Sequence, residues 1–181
     1  MEVINTKFSD VKILCPKVHG DHRGFFMESF NESVLGKMGL NYKFVQDNQS
    51  LSKESGTIRG LHYQLSSKSQ TKLVRVLSGA VYDVVLDIRR NSPTFGQWEG
   101  FILSEYNFRQ LLVPKGFAHG FCTLVPNTQI LYKVDEYYSP EHDRGILWND
   151  PELNISWPTS NPILSKKDEV LPVLKKAEIN F

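Results

Sequence analysis

A chain of 181 residues, 40% hydrophobic and 23% charged, can bury one substantial core and is read as a single domain over residues 1–181. Its 21 Lys and Arg against 20 Asp and Glu leave a formal net charge of +1, so no global field draws it to nucleic acid or to a membrane surface. Two cysteines, Cys15 and Cys122, are too few for a disulfide scaffold. With no leader-like apolar run at the acidic start MEVINT and no stretch of about 18 apolar residues anywhere, they predict free thiols and a cytoplasmic location.

Along the chain the recurring signal is alternation at period two. GFFMESF (24–30) is the first predicted strand. NESVLGKMGLN (31–41) carries the one helical pattern, with Asn31 as N-cap and Gly39 near its end. YKFVQDNQS (42–50) and TIRGLHYQL (57–65) read as strands. LVRVL (Leu73–Leu77) and AVYDVVLDI (Ala80–Ile88) flank the turn dipeptide Ser78-Gly79 and read as a hairpin. In its second strand Tyr82, Val84, Leu86 and Ile88 share one face, and Asp83 and Asp87 the other. WEGFILS (98–104), RQLLVP (109–114), HGFCTLV (119–125) and TQILYKVDEYY (128–138) follow, separated by NSPTFG, VPKGF and VPN. The proline-interrupted tail SNPILSKKDEVLPVLKK (160–176) predicts short turns only. Many strands with almost no helix predict an all-β fold: a sandwich, jelly roll or barrel.

Five histidines occur, His19, His22, His62, His119 and His142, and only His62 and His119 sit in or beside apolar strands. A lone histidine in a β-protein is most often a hydrogen-bonded structural residue. A metal site needs three or four converging donors, often two at i and i+2 on one strand. Position i+2 from His62 is Gln64, and the following LSSKSQT contains no acid, so the metal reading is weak. Acid–base chemistry is better supplied, because an imidazole can gain and lose a proton near neutrality and a carboxylate such as Asp83 or Asp168 can orient it. Lys72 opens a strand where it can aim a positive charge into a barrel mouth. Tyr132 shares a face with Ile130 and Val134, and is equally well read as a core residue. Arg23, Arg59 and Lys72 can clamp a phosphate while the net charge stays near zero.

The segments GDHRGFFMESF, FVQDNQS, IRGLHYQ, TKLVRVLSGAVYDVVLDIR, SPTFGQW, LLVPKGFAHGF, LYKVDEYYSP, WNDP and WP…LSKKD run in order from Gly20 to Asp168. Together they resemble the dTDP-4-dehydrorhamnose 3,5-epimerase family. The resemblance implies a cupin-type jelly roll, the double-stranded β-helix barrel. It also implies a homodimer in which an N-terminal strand joins the neighbouring sheet. Metal-binding cupins carry His-x-His with a following Glu, and later Pro-x-Gly-x-x-His; this chain keeps the second as Pro114, Gly116 and His119 and breaks the first at Gln64.

The implied reaction inverts C3 and C5 of a dTDP-linked 4-keto-6-deoxyhexose, with no cofactor and no metal. By resemblance His62 is the base, Asp168 its carboxylate partner, Lys72 the stabiliser of the enolate oxygen and Tyr132 the acid on the opposite face. Arg23, Phe26 and Glu28 match a segment that contacts the nucleotide, in part across the dimer. Gln46, Asp47 and Asn48 match a further binding run, Arg59 a phosphate contact, His119 a sugar contact and Lys167 another contact. Asp143 stands where the family often has a Glu that contacts substrate, and reaches less far. Gly60 is expected to leave room for the ligand. Three other readings compete: a single-carbon epimerase or ketoisomerase of the same fold, a non-catalytic sugar-nucleotide binder, and a metal-dependent cupin oxygenase.

Overall fold

The computed structural model describes residues 1–181. Thirteen strands and one helix follow in chain order: β1 (Glu2–Asn5), β2 (Lys12–Cys15), β3 (Val18–Asp21), β4 (Gly24–Met27), α1 (Glu32–Lys37), β5 (Gln46–Ser52), β6 (Ile58–Gln64), β7 (Lys72–Ser78), β8 (Ala80–Asp87), β9 (Trp98–Ser104), β10 (Gln110–Val113), β11 (Phe117–Thr123), β12 (Thr128–Val134) and β13 (Asp143–Gly145). A six-stranded sheet, β1-β2-β10-β7-β12-β5, faces a five-stranded sheet, β13-β6-β11-β8-β9, and β3-β4 forms a separate hairpin. Every named strand pair is antiparallel. This is a cupin-type jelly roll. No helix is long and apolar enough to cross a membrane.

Period two decides what each strand buries. Val74 and Val76 of β7 and Ile130 of β12 meet Val81 and Val85 of β8 and Phe121 of β11 in the interior cluster. The alternate residues of β8, Val84 and Leu86, pack with Ile88 outside the five-stranded sheet, beneath Leu153, Ala177 and Ile179. The predicted apolar face of β8 therefore lies under the C-terminal segment, and the face with Asp83 lines the barrel. Outside the six-stranded sheet, Leu14, Leu73 and Leu112 are covered by Leu35 of α1. Asn31 caps that helix, its side chain accepting from Val34 N at 3.1 Å. The helix stops at Lys37, short of the predicted span.

The predicted β7–β8 hairpin does not form. β7 pairs with β10 and β12, and β8 with β11 and β9. Each strand is central to its own sheet and apolar on both faces, so neither has a free edge for the other. Ser78-Gly79 instead carries the chain from one sheet to the other. The Gly79 amide donates to Glu105 Oε1 at 2.9 Å, and its carbonyl accepts from Glu105 N at 3.0 Å. Gly79 has φ +83, and a Cβ there would come within 2.4 Å of Thr128 Oγ1. Gly79→Ala is expected to lower the unfolding free energy by about 2–4 kcal/mol, read as a lower denaturant midpoint at unchanged slope.

Several predicted strands are trimmed. β4 ends at Met27, β5 starts at Gln46 and β12 ends at Val134, while Tyr42 and Phe44, partly buried, pack on the α1 cluster instead. The N-terminal strand β1 pairs with β2 of its own chain, Val3 opposite Leu14, at the edge of the six-stranded sheet.

Candidate active site

A cavity of about 450 Å3 lies between the two sheets. The five-stranded sheet contributes Arg59 and His62 from β6 and His119 from β11. The six-stranded sheet contributes Lys72 from β7 and Tyr132 from β12, facing them. Lys167 and Asp168 come from the tail. The tail reaches the cavity because Ile58 N donates to Ile163 O and Ile163 N to Gly56 O, both at 3.0 Å, adding a short parallel bridge beside β6. A 3-10 turn over Asp168–Val170 then turns the carboxylate inward.

His62 Nε2 lies 2.6 Å from Asp168 Oδ1. The Asp168 side chain is 4% exposed and that of His62 31%, so the pair joins a buried anion to an accessible imidazole. Burial pushes the Asp168 carboxyl up, but His62's hydrogen bond and charge, with bonds from Ser165 and the Gly60 backbone, outweigh it and hold the group below the ordinary carboxylate range. Binding through Nε2 fixes the tautomer and leaves Nδ1 as the basic nitrogen.

His119 is the cross-strand neighbour of His62. Its Nε2 sits 2.9 and 3.0 Å from the two oxygens of Asp83, which is completely buried. The two carboxylates weighed as partners for His62 thus divide between the two histidines. Asp83 shares a parity with Val81 and Val85, the β8 residues of the interior cluster, and so faces the barrel.

Lys72 Nζ donates to His62 O at 3.3 Å, spanning the two sheets. Burial pushes its ammonium down to about 8, against the pull of Asp143 and Asp83 and with a further push from Lys167. Tyr132 is raised above the ordinary phenol value by burial; Arg59 opposes this, and Asp143 and Tyr138 add to it. Arg59 is braced by bonds from Nε to Ser52 Oγ (3.2 Å) and from Nη2 to Leu51 O (3.3 Å).

Asp143 lines a side chamber of about 120 Å3 that shares His62, Lys72 and Tyr132 with the main cavity. Its Oδ2 accepts from Lys167 Nζ at 2.5 Å and from Tyr138 Oη at 3.0 Å. Tyr138 was read only as the end of a strand; its placement at the site follows from the turn after β12, which carries no local signal. Gln46 and Asn48 lie on the inner-facing parity of β5, and Asn48 is paired with Tyr132. Gln46 Nε2 donates to Asn48 Oδ1 at 2.8 Å. Asp47 faces the other way, its carboxylate 2.9 and 3.0 Å from Lys133 Nζ on the exposed face.

The single chain does not bring Arg23, Phe26 and Glu28 to the cavity. Arg23 sits in the β3–β4 turn, held by Asp21, and Phe26 is 72% exposed. Phe26 and Glu28 line a separate depression with Met1, Lys17, His19 and Val34. Gly60 also differs from expectation. A Cβ there would come within 2.6 Å of Gly120 Cα and His119 O, so the glycine lets β6 and β11 approach and makes no room for a ligand.

Residues 5–176 match the family model described as dTDP-4-dehydrorhamnose 3,5-epimerase. The chain is 54% identical over 169 residues to a protein of that name from Shigella flexneri, covering 93% of each. It is similar to the crystal structure of the Bacillus anthracis epimerase of that name with TDP and PPi bound, with a TM-score of 0.94, 62% identity, and 95% and 98% of the two chains covered. It is similar also to the Legionella pneumophila epimerase in complex with dTDP-4-keto-L-rhamnose, with a TM-score of 0.92, 48% identity, and 97% and 93% covered. Matched over nearly its whole length, the chain belongs to the dTDP-4-dehydrorhamnose 3,5-epimerase family.

Proposed function

We propose that this chain inverts C3 and C5 of dTDP-4-dehydro-6-deoxy-D-glucose, giving dTDP-4-dehydro-L-rhamnose in the synthesis of dTDP-L-rhamnose. The observation that carries this reading is the placement of a histidine–carboxylate pair on one sheet and a buried lysine and tyrosine on the other, across one cavity. Inversion needs a proton removed from one side of a carbon and returned to the other. Both carbons flank the C4 ketone, so one base and one enolate-stabilising cation serve both.

In this reading His62 Nδ1 takes the proton, while Asp168 orients the ring and stabilises the imidazolium. The Lys72 ammonium offsets the negative charge that develops on the C4 oxygen. Tyr132, kept as the neutral phenol by burial, donates from the opposite side. Arg59 holds the diphosphate, and His119, Asp143 and Lys167 contact the substrate, with Gln46 and Asn48 as further contacts. Incubation with the 4-keto sugar nucleotide in heavy water tests the activity. Deuterium at both C3 and C5 is expected; label at one carbon only, or none, overturns it.

We further infer that the working form is a homodimer in which the β3–β4 arm, with Arg23, Phe26 and nearby Glu28, serves the neighbouring cavity, while β1 stays beside β2 in its own sheet. Phe25 and Phe26, 59% and 72% exposed on an arm remote from its own cavity, support this. Sedimentation at micromolar concentration is expected to give the mass of two chains, and a one-chain mass overturns the inference.

Lys72 sets an alkaline limit. Its ammonium is depressed to about 8, so the free enzyme loses the cation as pH rises through that value. kcat/KM, which reports the free enzyme, is expected to fall about tenfold per pH unit above about 8. A pH–rate profile flat to pH 10 in kcat/KM overturns the depression of the Lys72 ammonium by burial.

A further inference from the structure

Gln64 stands two residues after His62, where it breaks the metal-ligand pattern, and it is only 5% exposed. A buried carboxamide must find partners for its oxygen and its N–H groups. Gln64 finds them in the backbone: Nε2 donates to Lys68 O at 2.5 Å and to Tyr137 O at 3.3 Å, and Oε1 accepts from Ser139 N at 2.7 Å. Two of these groups bracket Tyr138, whose own amide donates to Gln46 Oε1 at 3.3 Å. Two glutamines thus hold three consecutive residues, Tyr137 to Ser139, in a segment without regular structure. The only side-chain bond Tyr138 makes is to Asp143, and Asp143 is the cross-strand partner of Gln64 itself.

We propose that Gln64 is a positioning residue for the acid–base site, clamping the backbone on both sides of Tyr138 so that its hydroxyl fixes the Asp143 carboxylate in the side chamber beside Lys72. The role rests on the proposed epimerase reading. Where a metal-binding cupin would place a ligand, this chain places a crosslink between β6 and the loop whose Tyr138 lines the side chamber.

The consequence is electrostatic. Facing Lys72 are Asp143 from β13, Asp83 from β8, Arg59 and the His62–Asp168 pair on the β6 side, His119 from β11, Tyr132 from β12, Tyr138 from the loop after it and Lys167 from the tail. Of the two carboxylates that support the ammonium, Asp83 is fixed by His119 in the barrel wall, whereas Asp143 depends on Tyr138 and Lys167. If the clamp loosens, Asp143 drifts, Lys72 loses support, and the cation is lost at a lower pH.

The test is the pH profile of kcat/KM for wild type, Gln64→Met, Asp143→Asn and Gln64→Met/Asp143→Asn, with thermal unfolding of each. Wild-type turnover checks the epimerase reading separately. Gln64→Met and Asp143→Asn are each expected to move the alkaline limb down by about half a pH unit or more. The double variant is expected to move it no further than Asp143→Asn alone. A folded Gln64→Met enzyme whose limb stays at the wild-type pH overturns the proposal, whatever its melting temperature, and so does full additivity. Should Gln64→Met not fold, Tyr138→Phe cuts the same chain one link later on an exposed side chain. An unmoved limb there overturns the proposal equally.

Discussion

His62→Asn is expected to abolish deuterium uptake at C3 and C5 together, with turnover down by about 10³-fold or more. Asparagine cannot take up a proton; it is shorter than the ring and places no donor at the Nε2 position, but the Asp168 carboxylate, 4% exposed, keeps its bonds from Ser165 and the Gly60 backbone. The loss would therefore be of the base, with the cavity intact. The joint loss is the informative part. In the structure His119, the other histidine of the cavity, has its Nε2 tied to both oxygens of Asp83. If exchange disappears at one carbon and survives at the other, that carbon has its own base, and the single-base mechanism is wrong. Asp168→Asn is expected to fall in the same direction, because an amide can stabilise the wrong tautomer of His62. Unchanged activity in Asp168→Asn would reduce the 2.6 Å contact to a structural hydrogen bond.

Which parts of this were legible in the sequence follows from the range of the forces involved. Strand existence was legible, because alternation at period two is a local record of which face is buried. The faces of β8 were legible for the same reason, although which face met the barrel was not. Pairing was not legible. Ser78-Gly79 looks like a hairpin turn, and only the competition of β10, β12, β11 and β9 for the strand edges makes it a corner between sheets. Short strands were also missed: β1, β2 and β3 have four residues each and β13 three, too few for a period to show.

The site divides along the same line. The family resemblance pointed to His62, Lys72, Tyr132 and Asp168, where the residues by themselves left Tyr132 equally a core residue and Asp83 and Asp168 both open. Their meeting depends on a tail bridge more than 100 positions from His62, as the 106-residue separation of His62 and Asp168 shows. The assignment of Asp83 to His119 and the clamp on Tyr138 are tertiary facts with no local signature. Arg23, Phe26 and Glu28 lie outside the cavity of their own chain, on or just beyond the β3–β4 hairpin, and their segment carries no signal of that separation.

Tyr132→Phe is expected to separate exchange from inversion. The change removes one oxygen and leaves the ring packed against the interior cluster, so the fold is unaffected to within about 1 kcal/mol. His62 can still draw the proton, and Lys72 can still hold the enolate. The donor on the six-stranded sheet is gone, so the enolate is reprotonated from the histidine side, returning the starting configuration. The substrate should then take up deuterium at the carbon attacked while keeping its stereochemistry, and formation of the L-sugar should fall by about 10²–10⁴-fold. The test is to follow label by mass and configuration by proton couplings in the same sample. Normal inversion by Tyr132→Phe would mean that the proton arrives from elsewhere, with water entering through the cavity mouth as the next candidate. Loss of exchange and inversion together would mean that Tyr132 also acts before the enolate forms. The separation itself is what two opposed sheets predict: a base on one wall is enough to make the enolate, and only a donor on the other wall makes the reaction an epimerisation.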